Sequence, residues 1–211
     1  MRITWHGHSC FEINDTIDLV VDPHDGVSLG LRRPDPIADV VLISHDHFDH
    51  NRADIVSTDG TDIINTLGQH SIRDIDILGV EACHDKKRGS VRGKVVMYRF
   101  VIGGIRCLHV GDLCHSLSSK VLKTMGEIDI LFVPVGGTFT LDANEAADLV
   151  KSIKPLITIP MHYRIPGLTL EIDPVAPFLK KCGIPVLRVG DAIDFITEDL
   201  PDHREIWLFD Y

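Results

Sequence analysis

The strongest structural signal in the chain is the nine-residue run Ile43-Ser44-His45-Asp46-His47-Phe48-Asp49-His50-Asn51. It directly follows the apolar residues 40–42, which have the composition of a buried strand. If the strand continues to His45 and His47, their side chains point to the same face, so two imidazoles can share one metal ion. Asp49 and His50 then turn back towards them. This packing of four ligand-type side chains predicts a metal site at a strand end.

Further histidine and aspartate side chains occur where other predicted strands end. A site for two ions needs about six protein ligands and one bridging group, so the motif requires partners elsewhere in the chain. The candidates are His84 after residues 75–83, Asp112 after residues 106–111, and His162 after residues 156–161. Because a sheet fixes the backbone while loops let side chains converge, we expect these residues to meet the motif.

Short β-rich runs separated by turn residues make up most of the chain. The predicted strands cover residues 2–5, 10–13, 16–21, 39–43, 62–65, 75–81, 94–101, 105–110, 128–133, 156–160, 185–189, 192–196 and 205–209. Asn14-Asp15 predicts a hairpin turn, because both residues tolerate left-handed backbone angles. The aromatic residues 207–211 indicate that the last strand lies at a sheet edge.

Helical patterns are fewer and lie in the second half of the chain. Three helices are predicted: residues 143–153 capped by Thr140 or Asp142, a helix that opens at Asp173-Pro174 and closes at Gly183, and one from Ser116 or Ser118 to Met125. Two strand-rich halves with helices among them predict one α+β domain over residues 1–211. In it, two packed sheets are covered by helices on their outer faces.

Composition and charge limit the possible partners. Hydrophobic residues make up 44% and charged residues 25% of the chain, as in soluble folded proteins. The formal net charge of -10 argues against nucleic acid, so a small-molecule substrate is expected. The sequence shows no signal peptide or membrane span, which predicts no membrane association, a cytoplasmic location, and a monomer or homo-oligomer.

Two further residue classes bear on the site. The five cysteines are odd in number and never form a C-x-x-C pair, so we expect reduced thiols and no thiolate metal site. Residues 86–88 and Arg92 form the densest basic run. It is either a solvated loop or a segment that draws an anionic substrate towards a nearby site.

Taken in order, these motifs resemble the metallo-β-lactamase fold superfamily, in which a His-x-His-x-Asp-His motif, a later His, an Asp after Gly and a final His form the site. Asp22 in Val20-Val21-Asp22-Pro23 resembles the early structural aspartate of that superfamily. Gly7-His8-Ser9-Cys10-Phe11 resembles the opening of its lactonase-like branch of small Zn-dependent hydrolases. The resemblance covers residues 1 to about 164 and implies a four-layer αββα sandwich of two mixed β-sheets flanked by helices.

The resemblance also implies a ligand set for two divalent ions. The first ion would be held by His45, His47 and His84, the second by Asp49, His50 and His162, with Asp112 bridging them. Zinc fits these nitrogen and oxygen ligands, and manganese and iron fit as well. Asp22 and Asp46 are expected to orient ligand imidazoles.

A metal-dependent hydrolase that cleaves a small ester, lactone or amide is the function that this site predicts. A water shared by two divalent ions loses a proton near neutral pH, so a metal-bridging hydroxide is the expected nucleophile. Asp49, His8 and His115 are the predicted catalytic side chains, with Tyr163 as another candidate for protonating the leaving group. The amides of residues 136–140 either face a substrate oxyanion or form a tight turn.

Two other functions stay open. One is a phosphodiesterase or nuclease that uses the same ions on a different bond. The other is a metal-binding module without catalysis, in which no open coordination position would face a cleft.

Overall fold

Two mixed β-sheets and three α-helices form the framework in the computed structural model, which describes residues 1–211. The strands are β1 (Arg2–Trp5), β2 (Phe11–Asn14), β3 (Asp18–Val21), β4 (Val40–Leu42), β5 (Asp62–Ile64), β6 (Gly68–Ile72), β7 (Ile75–Cys83), β8 (Lys94–Ile102), β9 (Ile105–His109), β10 (Ile130–Pro134), β11 (Ile157–Met161), β12 (Val186–Arg188), β13 (Ala192–Asp194) and β14 (Glu205–Leu208). The helices are α1 (Ser119–Met125), α2 (Ala143–Ile153) and α3 (Ala176–Cys182).

The six-stranded sheet has the order β13-β1-β2-β3-β4-β5, and the eight-stranded sheet has the order β12-β14-β11-β10-β9-β8-β7-β6. Hairpins make the N-terminal strands of each sheet antiparallel, and the later strands run parallel to their neighbours. The exception is β13, which is antiparallel to β1. In the larger sheet, β9, β10 and β11 are parallel because α1 and α2 form the crossovers between them. The predicted α+β sandwich of two mixed sheets is confirmed.

Alternating side chains place the two sheets face to face around one core. In β3, Leu19 and Val21 belong to the main core, whereas Val20 belongs to a smaller cluster on the other face. Ala53 and Val56, in and beside the 3₁₀ helix Ala53–Ile55, cover that face. The three α-helices connect strands of the eight-stranded sheet and cover its outer side. The helical layer over the smaller sheet is therefore only a short turn.

The helix ends follow local capping chemistry. Asp142 caps α2 by accepting hydrogen bonds from the backbone N–H groups of Asn144 and Glu145, and Ser118 caps α1. The predicted opening of α3 at Asp173 is wrong, since α3 begins at Ala176. The backbone of Asp173 is held in a loop: its N–H donates to Gly136 and its carbonyl accepts from Arg164.

Two strand predictions also need correction. β6 was not predicted, because its residues Gly-Gln-His-Ser-Ile lack apolar alternation and the strand is held only by its hairpin with β7. β14 is not an edge strand, since it lies between β11 and β12. β12 precedes β14 in the chain, yet β12 forms the edge of the sheet and β14 lies inside it. No local pattern in the sequence indicates such an order.

All five cysteines are free thiols, as predicted. None of the α-helices has the length and apolar character that a bilayer crossing requires.

The aromatic contact between the sheets should be a main source of stability. Phe132 is fully buried, and its ring lies 4.7 Å from that of Phe11 on the opposite sheet. We expect Phe132→Ala to lower the free energy of unfolding by about 3–5 kcal/mol, through lost burial and a residual cavity. Chemical denaturation measures the change. Phe48→Ala is the matched control, because Phe48 is 54% exposed and should cost far less; equal losses in the two variants would contradict the packing.

Candidate metal centre

Segments that leave both sheets bring the predicted ligands together. The histidine motif follows β4 of the smaller sheet, and three segments of the larger sheet, after β7, β9 and β11, supply the rest. The ligand atoms of His45, His47 and His84 lie within 4.8 Å of one another. Those of His8, Asp49, His50 and His162 form a second such group. The structure thus assembles all seven predicted metal ligands and adds His8 to the second group.

Asp112 lies between the two groups and contacts both. Its Oδ2 is 3.5 Å from Nε2 of His84 and 4.0 Å from Nε2 of His45, both in the first group. The same oxygen is 3.3 Å from Nε2 of His162, and its Oδ1 is 3.4 Å from Nε2 of His50. This is the position that a bridging carboxylate requires.

Asp22 and Ser44 orient two of the ligand rings. Asp22 Oδ2 accepts hydrogen bonds from His50 Nδ1 at 3.0 Å and from the Ser44 hydroxyl at 2.7 Å. Because that hydroxyl proton is used, Ser44 Oγ accepts from His45 Nδ1 at 2.8 Å. Both rings therefore turn Nε2 towards Asp112. Asp22 therefore makes the contact that its expected role requires.

Asp46 does not share that role, in contrast to the prediction. Its side chain is exposed and accepts a hydrogen bond from the Asn51 amide at 2.5 Å. β4 ends at Leu42, so the predicted continuation of the strand to His47 is wrong, and Asp46 turns outward in the bent segment that follows. It contacts none of the ligand rings.

His8 is the one predicted catalytic histidine that reaches the centre. Its Nε2 lies 3.1 Å from Asp49 Oδ2, and its ring lies 4.1 Å from that of His162. Burial, together with the neighbouring His162, lowers the pKa of His8 to about 3. The imidazole is therefore neutral, and it donates from Nε2 because the Asp49 carboxylate can only accept. This contact holds the Asp49 side chain in place.

His115 and Tyr163 lie away from the ligands. Nε2 of His115 accepts from the Cys83 amide at 3.0 Å, and its Nδ1 is 2.8 Å from the Ser116 carbonyl oxygen. Its side chain lines a separate cavity between α1 and α2. The buried Tyr163 hydroxyl is directed to the carbonyl of Phe209 at 3.5 Å. These contacts contradict the predicted catalytic placement of His115, because backbone groups occupy both of its ring nitrogens.

The backbone is strained at the centre. His8, Asp22 and His162 have φ angles of 54°, 48° and 51°, in the left-handed region that non-glycine residues rarely adopt. Gly111, just before Asp112, has φ 54°, and a Cβ there would lie 2.7 Å from that of Ser44. Such geometry persists only where surrounding contacts enforce it, and here it aims three functional side chains inward.

The electrostatics of the centre favour cations. Burial opposes the ionisation of Asp112, but His162 and His50 outweigh it and hold the pKa of Asp112 well below its usual value. Burial likewise opposes a proton on His50, yet Asp112 and Asp49 raise the pKa of His50 well above its ordinary value. At His45, burial and the neighbouring His50 lower the pKa to about 3, so its lone pair is free for a metal near neutral pH.

The donor set passes a direct test for metal binding. Several buried ligand-type atoms have no hydrogen-bond partner, whereas buried polar atoms are normally paired. Those at the centre are His8 Nδ1, His45 Nε2, His50 Nε2, His84 Nδ1, Asp112 Oδ1 and His162 Nδ1. His45 Nε2, His50 Nε2 and Asp112 Oδ1 face one another at the centre, and coordination to divalent ions would satisfy them. They are nitrogen and oxygen donors suited to zinc, manganese or iron.

Two adjoining cavities open onto the centre. The first, of about 240 Å³, is lined by His47, Phe48, Asp49, His84, Arg92, Asp112, Phe139 and Leu170. The second, of about 340 Å³, shares His84, Arg92 and Phe139 and extends towards α2. Volumes of this size suit a small molecule. The centre therefore faces a cleft.

The glycine-rich segment before α2 forms a tight turn. The amides of Gly137 and Thr140 donate to the carbonyls of Leu141 and Gly137, at 3.1 and 3.0 Å. Asp142 accepts from the first amides of α2. The amides of Gly137, Phe139 and Thr140 are thus used inside the turn, which favours the tight-turn interpretation of residues 136–140.

Some supporting residues escaped the sequence analysis. Ser44 lies inside the histidine motif of residues 43–51, but no sequence pattern there predicts its contacts with Asp22 and His45. His109 is fully buried, with Nε2 3.2 Å from the Ser9 carbonyl oxygen, and its Nδ1 accepts from the Gly111 amide just before Asp112. A histidine two residues before a glycine-aspartate pair is too weak a pattern to predict this contact.

Comparisons with known proteins agree with this geometry. Residues 2–162 match the family described as the beta-lactamase superfamily domain. A UPF0173 protein of Pyrococcus abyssi is 33% identical over 180 residues, covering 77% of this chain and 83% of that protein. A UPF0173 metal-dependent hydrolase of Thermoplasma acidophilum is 29% identical, covering 82% and 88%. A metallo-β-lactamase superfamily crystal structure from Thermotoga maritima is 33% identical with a TM-score of 0.81, covering 99% and 97%.

Asp22 and Asp46 provide a matched pair for testing ring orientation. We expect Asp22→Asn to weaken metal affinity by about 10–100-fold, because an amide is a poorer acceptor for the His50 N–H. Asp46→Asn should leave the affinity unchanged. Competition with a chromogenic chelator measures both. Equal affinities in the two variants would show that Asp22 does not act through His50.

Proposed function

Since the chain is a metal-dependent hydrolase of the metallo-β-lactamase superfamily, we propose that it holds two divalent metal ions and cleaves an ester, lactone or amide bond of a small substrate. The position of Asp112 carries the proposal, because its two oxygens contact both ligand groups. A carboxylate in that position can hold two ions a few ångströms apart.

Each ligand group would hold one ion. His45, His47 and His84 would hold the first ion, Asp49, His50 and His162 the second, and Asp112 would contact both. Bound divalent ions would supply Lewis acidity and activate a water near neutral pH. Zinc is the metal proposed, since the related Thermotoga maritima protein is described as a candidate Zn-dependent hydrolase and the donor set suits that ion.

The residues around the ligands would prepare the reaction. Ser44 and Asp22 fix the rings of His45 and His50, so these ligands need not reorganise. Asp49 is ionised, because His50 outweighs the effect of burial and keeps its pKa far below the usual range. With His8 bonded to Oδ2, its other oxygen can orient a water by accepting a hydrogen bond. Asp49 is thus the catalytic carboxylate of the proposal, and His8 positions it.

The size of the cleft and the net charge support a small-molecule substrate. The free thiols support a cytoplasmic location. The two adjoining cavities have about 240 and 340 Å³, the scale of a small-molecule site. The formal net charge of -10 disfavours nucleic acid. Five free thiols fit a reducing compartment.

The metal content of protein purified without chelator is the first test. We expect about two ions per chain in the native protein and near none in His47→Ala/His162→Ala, which removes one ligand from each group. His70→Ala/His203→Ala is the matched control, because neither of those histidines belongs to a ligand group. One ion in the native protein would contradict the two-ion proposal.

A panel of esters, lactones, amides and phosphodiesters tests the reaction. We expect turnover of an ester or lactone, and Asp112→Asn should reduce kcat/KM by about a hundredfold or more through the loss of a ligand shared by both groups. Asp202→Asn, a highly exposed aspartate, should retain full activity. Turnover of phosphodiesters alone would contradict the proposed bond type, and no turnover in metal-replete protein would contradict catalysis.

A further inference from the structure

The segment between β7 and β8 is built around one carboxylate. Asp85, next to the ligand His84, is buried at 8% exposure. Its two oxygens accept hydrogen bonds from the backbone N–H groups of Lys87, Gly89, Val91 and Arg92, at 2.7, 2.9, 2.9 and 2.8 Å. Four bonds to one side chain fix the path of the loop, so the basic run is an ordered segment.

That path carries Arg92 to the metal centre. Its guanidinium carbon lies 4.3 Å from the centroid of the Phe139 ring, at cation–π distance. Arg92 lines the cavity that contains His47, Asp49, His84 and Asp112, and it also lines the adjoining one. Phe139 thus holds the cation at the junction of the two cavities.

The other charges around this junction are already paired. Lys86 forms an ion pair with Glu145. The carboxylates of Asp85 and Asp142 accept from backbone amides. Arg92 takes part in no ion pair and remains a free cation in a protein of formal net charge -10. Its planar donor group suits a carboxylate or phosphate.

We propose that Arg92 binds an oxyanion of the substrate, and this proposal rests on the proposed function. The oxyanion is a carboxylate or phosphate group separated from the bond that is cleaved. The metal ligands would engage the reacting end, and Arg92 would fix the other end at the cavity junction. The substrate class is therefore an anionic small ester, lactone or amide. Phe48, which is 54% exposed and lines the same cavity, offers an apolar contact for the intervening carbons.

Binding of small anions to the metal-replete protein tests this site apart from turnover. Succinate, glutarate, adipate and 3-phosphonopropionate carry a second anionic group, and butyrate does not. We expect at least one dianion to bind about tenfold more tightly than butyrate by isothermal titration calorimetry, the scale of one charge-assisted hydrogen bond. Arg92→Gln should bring that ratio close to one, and Arg92→Lys should restore part of it. A phosphonate-only or carboxylate-only preference identifies the oxyanion.

Arg88→Gln is the matched control, since Arg88 lies in the same loop and lines neither cavity. It should keep the native ratio, and metal content and circular dichroism verify that each variant is folded. No preference for any dianion in the native protein, or an unchanged preference in Arg92→Gln, would overturn the proposal. An Arg92-dependent preference without turnover of any substrate would uphold the anion site and contradict the proposed hydrolysis. Turnover without that preference would uphold the proposed hydrolysis and contradict the anion site.

Discussion

The buried carboxylates of Asp22, Asp49 and Asp112 are the constraint on which the rest of the structure depends. Burying negative charges in close proximity is unfavourable unless positive charge compensates them. Histidine rings surround them and supply hydrogen bonds, yet several ring nitrogens have no protein partner. A set of this kind is suited to cations, and divalent ions would offset both the charge and the unpaired donors. The backbone at His8, Asp22 and His162 is strained for the same reason: these conformations aim the side chains inward at the cost of local strain.

The sandwich and the metal centre cannot be separated. The smaller sheet contributes the segments that carry Asp22 and the histidine motif, and the larger sheet contributes the segments that carry His84, Asp112 and His162. Neither sheet holds a complete ligand group, because His84 joins the first group and His162 joins the second. The centre therefore forms only when the two sheets pack, and bound metal would in turn stabilise that packing by mass action.

The candidate ligands could be predicted because their signal is local and dense, whereas supporting residues such as Ser44 and His109 could not. Each of His45, His84, Asp112 and His162 follows an apolar strand, so sequence alone indicates that it lies at a strand end. The contacts of His115 depend instead on where the Cys83 and Ser116 backbones lie, which no local pattern encodes.

The errors in the predicted fold have the same origin. Asp173-Pro174 is a good helix opening by itself, but tertiary hydrogen bonds hold Asp173 in a loop. The place of β14 between β11 and β12 is likewise decided by the sheet as a whole. Local chemistry predicts elements and strand ends, and tertiary context decides which competing local preference is realised.

The loop between β7 and β8 would link the candidate ligand His84 to the proposed anion site at Arg92. The amide of His84 donates to the Gly93 carbonyl at 3.1 Å, which closes the base of the loop at the ligand itself. Asp85, the next residue, fixes the rest of the loop by accepting hydrogen bonds from its backbone amides. These bonds do not use the side chains of residues 86–91. At Gly89 an added Cβ would lie 2.8 Å from the Gly93 carbonyl oxygen, so that position is fixed. The other side chains of residues 86–91 can vary without changing the bonds that shape the loop or the position of His84. The charge that Lys86 places beside the second cavity could therefore change while the candidate ligand His84 stays in place.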